Sequence, residues 1–147
     1  MDPLRVISRL PQSVDKDIVK RVARGLTDVG QRRTVNEDAF FLDDDLGLYV
    51  VADGMGGHAA GEIASQEAVD TVHGMVRREG EKLARLAAGD TSEGVVFQAT
   101  RVLESAIQAA TYMVFGLAQH DPDQQGMGTT LSALAVCGPY CVTAQVG

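Results

Sequence analysis

Two short segments of this 147-residue chain carry side chains whose types and spacing could do chemistry. In the first, Gly30-Gln31-Arg32-Arg33-Thr34-Val35-Asn36-Glu37-Asp38, a guanidinium precedes two adjacent carboxylates by a few residues. In the second, Asp53-Gly54-Met55-Gly56-Gly57-His58-Ala59-Ala60-Gly61-Glu62, an acid ends an apolar run and glycines follow. Asp53 emerges from Tyr49-Val50-Val51-Ala52, where an unpaired charge is costly unless a cation or a hydrogen-bond donor meets it. Glycine beside it lets a main-chain carbonyl approach such a cation. Hard divalent ions take oxygen ligands, and Mg²⁺ keeps several waters while using one or two carboxylates. Asp53, the Gly54 carbonyl, Glu37 and Asp38 suit that role, and the planar fork of Arg33 suits a phosphate dianion. Metal and phosphate together point to phosphoryl chemistry.

Each segment alone has a plainer reading. Arg33 and Glu37 could form a surface ion pair worth little, and Asp53-Gly54 could be an ordinary turn. A glycine-rich stretch before a helix could cradle a nucleotide phosphate, but the GxxxxGK[ST] pattern is missing and no Lys follows. Asp43-Asp44-Asp45 lacks the spacing and closing Glu of a calcium loop, so it reads as a solvated turn.

The elements that must position these residues are legible from periodicity. Residues 1–20, with Pro3, Pro11 and the charged run Asp15-Lys16-Asp17, read as an N-terminal extension, and 21–147 as the domain. Arg21 to Gly30 is strand-like, and Phe40-Phe41-Leu42 and Leu48 to Ala52 form a hairpin about the Asp triplet. After Gly61 the period changes to three or four, with Val69, Val72 and Val76 on one helical face. A longer amphipathic stretch runs from Ser92 to about Leu117, with Asp90 and Glu93 spaced as a capping box. The linker from Gly80 to Gly89 is expected to be partly helical. Gly126 to Thr130 reads as a structural turn, and Thr129–Val136 with Tyr140–Val146 as a hairpin about Gly138-Pro139. Strands, then helices, then strands give an α+β layered architecture.

Composition narrows the partners. Hydrophobic residues are 45% and charged residues 22%, as in globular domains. A net charge of −7 disfavours nucleic acid and anionic membranes and favours cations. No apolar run approaches the roughly 20 residues of a membrane helix, and the apolar run among Asp2, Arg5 and Arg9 reads as too short for a secretion signal. Cys137 and Cys141 form no CxxC or metal-ligand pattern and read as reduced thiols, so a cytoplasmic location is expected.

Taken in order, four blocks resemble the metal-dependent protein phosphatases of type 2C, the PPM family, in their bacterial form. They are Gly30 to Asp38, Val51 to Glu62, Gly126-Met127-Gly128-Thr129-Thr130-Leu131, and Ala144-Gln145-Val146-Gly147. The resemblance implies a four-layer αββα sandwich of two antiparallel sheets flanked by helices, of which this chain supplies the N-terminal part. It also implies a Ser/Thr phosphoprotein phosphatase with two Mg²⁺ or Mn²⁺ ions sharing a bridging water or hydroxide that attacks phosphorus in line. Asp53 would bridge the two metals, the Gly54 carbonyl would join one, and Glu37 and Asp38 would hold metal-bound waters. Arg33 would bind the phosphate. His58 stands three residues beyond the position where many relatives place a His, and either protonates the leaving oxygen or caps the helix that follows. The implied partners are a phosphorylated protein substrate and a cognate Ser/Thr kinase.

The family pattern continues beyond Val146-Gly147 with an Asp-Ser/Thr-Arg segment and further carboxylates. The 147 residues are therefore expected to supply one outer helical layer and part of each sheet, with weak metal binding and little turnover. A non-catalytic phosphatase-like binding module is the alternative.

Overall fold

The computed structural model of the chain describes the backbone of residues 6–9 and all of residues 21–56 and 60–147. Five strands form one antiparallel sheet: β1 (Val6–Arg9), β2 (Asp38–Asp43), β3 (Leu48–Met55), β4 (Gly128–Cys137) and β5 (Tyr140–Val146), in the order β1-β5-β4-β3-β2. Three helices, α1 (Ala60–Arg78), α2 (Gly80–Ala87) and α3 (Glu93–His120), connect β3 to β4.

Among the described residues the helices cover one face of the sheet only. Side chains alternate along a strand, and Leu48, Val50 and Ala52 of β3, Leu131, Ala133 and Ala135 of β4, and Val142 and Ala144 of β5 are all buried. They meet Ala64, Ala68 and Val72 of α1 and Ala99, Leu103, Ala106 and Ile107 of α3 in one core. The intervening residues Val51, Asp53, Thr130, Ser132 and Gln145 are exposed.

Both hairpins form as expected. In the β2–β3 turn, Leu46 N donates to Asp43 Oδ1 at 2.7 Å and Gly47 adopts φ +70°. Asp44 is held by protein rather than left to solvent, since Ala23 N and the Tyr49 hydroxyl each donate to its Oδ1 at 3.0 Å. Burial, reinforced by this bond to Asp44, raises the Tyr49 pKa. The thiols form no disulfide and lie on opposite faces: Cys137 is buried under the helices and Cys141 is half-buried on the other side. Burial pushes the Cys137 thiol up to about 11.

The structure adds to or departs from expectation at four points. The strand expected over Arg21–Gly30 is irregular; Arg21 Nη1 donates to Val136 O at 2.8 Å and Ala23 N to Asp44, so side chains and not a ladder hold this stretch. Val6–Arg9, inside the stretch read as an extension, pairs with β5 as an edge strand. All five described strands share one sheet and are not divided between two, because β2 to β5 are sequential antiparallel neighbours. The cap of α3 is Ser92, not Asp90; Asp90 Oδ1 accepts from Ser92 N at 3.1 Å and from its hydroxyl at 2.7 Å.

Candidate metal centre

The register of the sheet assembles the site. Asp38 pairs with Asp53 across β2 and β3, and Asp53 pairs with Thr130 across β3 and β4. Residues directly opposite in an antiparallel pair share a face, so these three side chains stand together on the uncovered face. Like charges directly opposite destabilise a strand pair. Among the described residues neither Asp38 nor Asp53 has an ion-pair partner. The two acids line an open hollow of about 290 Å³ with Thr27, Phe40, Val51 and Thr130.

Polar contacts fix the edges of this hollow. Asn36 Oδ1 accepts from Asp38 N at 3.1 Å, and Asn36 Nδ2 donates to Thr27 Oγ1 at 2.8 Å. Asp53 N donates to Thr130 Oγ1 at 3.3 Å. The Thr130 hydroxyl therefore contacts the main chain of the central acid, a role the reading of Gly126–Thr130 as a turn did not contain. The signal is the strand register, which spacing in the sequence does not display.

Glu37 is placed differently. Its carbonyl accepts from Gly54 N at 2.9 Å, extending the ladder one step past the Asp38–Asp53 pair. Its carboxylate lies over Gly61 in the first turn of α1, where a Cβ would strike Glu37 Oε1. A helix N-terminus favours such a negative charge. Gly54 is equally constrained, since a Cβ there would meet Gly61 O and lie 2.6 Å from Glu37 O. Glycine at 54 and 61 thus lets strand end, helix start and Glu37 pack together.

The expected set is brought together in part: Asp38, Asp53 and Gly54 are adjacent by register, and Glu37 joins through its backbone. Arg33 sits on an exposed loop and bonds to none of the described residues. His58 lies outside the described residues. His73 stacks on Phe41 with ring centroids 4.0 Å apart. Among the described residues, no three His, Cys, Asp or Glu side chains come together so as to hold a metal ion. The available donors at Asp38, Asp53, Thr130 and the Gly54 main chain are all oxygens, which fits a hard divalent ion and not a soft one.

Comparison with known proteins identifies the family. The family model for protein phosphatase 2C matches residues 29–147. The chain belongs to this family. It is 39% identical over 114 residues to the serine/threonine protein phosphatase PstP of Mycobacterium tuberculosis, covering 76% of this chain and 18% of that protein. It is 33% identical over 125 residues to the protein phosphatase PhpP of Streptococcus pneumoniae, covering 83% and 46%. The crystal structure of the PstP catalytic domain with two manganese ions superposes with a TM-score of 0.63 at 26% identity, over 99% of this chain and 48% of that one. The chain thus spans less than half the length of these phosphatase 2C relatives. The α+β architecture with helices on the outer side of an antiparallel sheet is the one it shares with them.

Proposed function

We propose that the chain is part of a Mg²⁺- or Mn²⁺-dependent phosphatase acting on phosphoserine and phosphothreonine in proteins. The observation that carries this reading is the pair Asp38 and Asp53, opposed on a solvent-facing strand pair with no cation beside them among the described residues. Such a pair is stabilised when a dication sits between the carboxylates, and its oxygen donors match the ions this family's relatives hold. Membership of the family and the manganese-bound PstP domain support the same assignment.

Asp53 and Asp38 would hold the ions, with the Gly54 carbonyl beside them. When bound, a dication there would supply an activated water and neutralise charge developing on the phosphoryl group. Thr130 fixes the main chain of Asp53 through its hydroxyl. Glu37, set on the first turn of α1, anchors the strand end that presents Asp53. Arg33, on its exposed loop, would bind the phosphate of the incoming residue by a bidentate contact. His58 would serve as general acid or cap α1. Residues 21–147 form the phosphatase portion, and 1–20 are an extension whose strand Val6–Arg9 adds to the sheet's edge. A cognate Ser/Thr kinase supplies the phosphoprotein, and thiols that form no disulfide support a cytoplasmic setting.

Because two carboxylates are too few for two dications, Mn²⁺ should bind this chain weakly. A phosphoprotein-binding module without turnover is the second reading, favoured by the lack of a three-ligand cluster among the described residues. Calorimetric titration with Mn²⁺ and phosphopeptide hydrolysis decide between them, measured on this chain and on one extended past Gly147. Mn²⁺ binding lost in Asp53→Asn, with turnover arising in the extended chain, supports the enzyme. Phosphopeptide binding without turnover in both supports the module. No Mn²⁺ binding by either chain overturns the metal site.

A further inference from the structure

The two long helices present very different outer surfaces. The outward side of α1 carries Glu62, Glu67, Asp70, Arg77 and Arg78, all exposed. That of α3 is nearly uncharged: from Ser105 to Gln119 there is no Asp, Glu, Lys or Arg. At 3.6 residues per turn Phe97, Gln108, Tyr112 and Phe115 share one outward face, and the three aromatics are 62%, 76% and 62% exposed. A helix apolar on both sides is normally buried on both. Along its flank, beside Phe115, opens a hollow of about 300 Å³ walled by Ala68, Ala110, Val114, Met127 and Leu131, apolar and wide enough for an aromatic ring.

We propose that the outer face of α3 is a self-association surface, on which a second copy of this chain docks about a two-fold axis with Phe115 of each copy entering the other's hollow. Knob and hollow adjoin, Phe115 itself lining the hollow, so both belong to one patch that can meet its own copy, as an isologous contact requires. Charge selects this partner over others. Two copies of a chain with net charge −7 repel through most of their surfaces, and the α3 face is where they meet without a like-charge penalty. A lipid surface would call for Lys and Arg flanking the aromatics, and Arg101 is engaged with Glu104 at 2.8 Å. Covering the exposed parts of Phe97, Tyr112 and Phe115 removes about 400 Å² per copy, so the pair reaches about 800 Å² of the ~1,000 Å² of a specific interface before neighbouring residues are counted.

Sedimentation velocity across a micromolar concentration series tests this on the chain as it stands. The expected result is a reversible dimer, little affected by salt. The double variant Tyr112→Glu/Phe115→Glu should weaken association at least about thirtyfold, while Val51→Glu on the uncovered sheet face stays dimeric, circular dichroism confirming the fold of each. Should the aromatic variant fail to fold, Gln108→Glu/Gln119→Glu places charge on the same face from polar positions and should also give monomer. A wild type that is monomeric throughout overturns the proposal, as does a dimer that survives the helix substitutions or is lost with Val51→Glu. Monomer that instead pellets with phosphatidylserine vesicles overturns it in favour of a membrane. None of these helix positions touches Asp38 or Asp53, so the phosphatase assignment stands or falls separately.

Discussion

Val50 and Val51 are neighbours on β3, yet one is 1% exposed and the other 56%. Every other residue of that strand follows suit. The face under the helices is made of Leu, Val and Ala, and the bare face carries Asp38, Asp53, Thr130 and Ser132. Burial of the first face stabilises the fold, whereas the second opposes two carboxylates at a net cost in stability. Functional sites are where local rules are broken and the cost is met elsewhere; here the two sides of a single sheet divide those tasks.

The sharpest way to break this contrast is truncation on each side. Leu131→Ala, under the helices, should cost about 2–5 kcal/mol, and Val51→Ala within about 0.5 kcal/mol, both read by urea denaturation. Equal losses would mean that the bare face is also packed in solution. The next largest effect concerns the two thiols. Cys137 keeps its proton in the folded chain up to about pH 11, while the unfolded chain ionises near the ordinary thiol value. Stability should therefore be flat below that value and fall as pH rises toward 11, by something on the order of 2 kcal/mol. Cys137→Ala should remove this slope, and a disulfide reagent should modify Cys141 first.

Substitution of the acids should reverse the sign. Without metal, Asp53→Asn relieves the facing charge and should stabilise the chain by about 0.2–1 kcal/mol, while Mn²⁺ affinity falls by about tenfold or more. A thermal melt and a metal titration on the same variant check both halves. An effect of similar size on stability is that of Thr130→Val, which removes the acceptor for Asp53 N at 3.3 Å and should cost about 0.5–1 kcal/mol. Its Mn²⁺ affinity should also drop, but by less than in Asp53→Asn.

Much of this was legible beforehand for physical reasons. Val69, Val72 and Val76 repeat at helical spacing because one face of α1 is buried, and Leu48 to Ala52 declares itself as a strand by its apolar run. The stretch Arg21–Gly30 misled because its apolar Val22, Leu26 and Val29 are interspersed with small and polar residues, although all three are exposed in irregular backbone. Asp90 and Glu93 carry the spacing of a capping box, but Asp90 spends its carboxylate on Ser92 and Arg85. Glu37 and Asp38 are adjacent in sequence, yet the carboxylate of Glu37 lies against α1 and Asp38 faces away from the helices. Thr130 was invisible as a partner of Asp53 because 77 residues separate them and only register joins them.

The turn of four residues between β2 and β3, Asp44 to Gly47, sets the phase of everything that follows it. If one residue were inserted there and the ladder closed one step along, Asp53 would no longer stand opposite Asp38 but beside a side chain of the opposite orientation. Gly47, whose added Cβ would lie 2.5 Å from Val136 O, and Leu46, bonded to Asp43, hold that count of residues. The spacing of two negative charges is thereby governed by a loop at the far end of their strands, which itself carries no reactive group in the centre it calibrates.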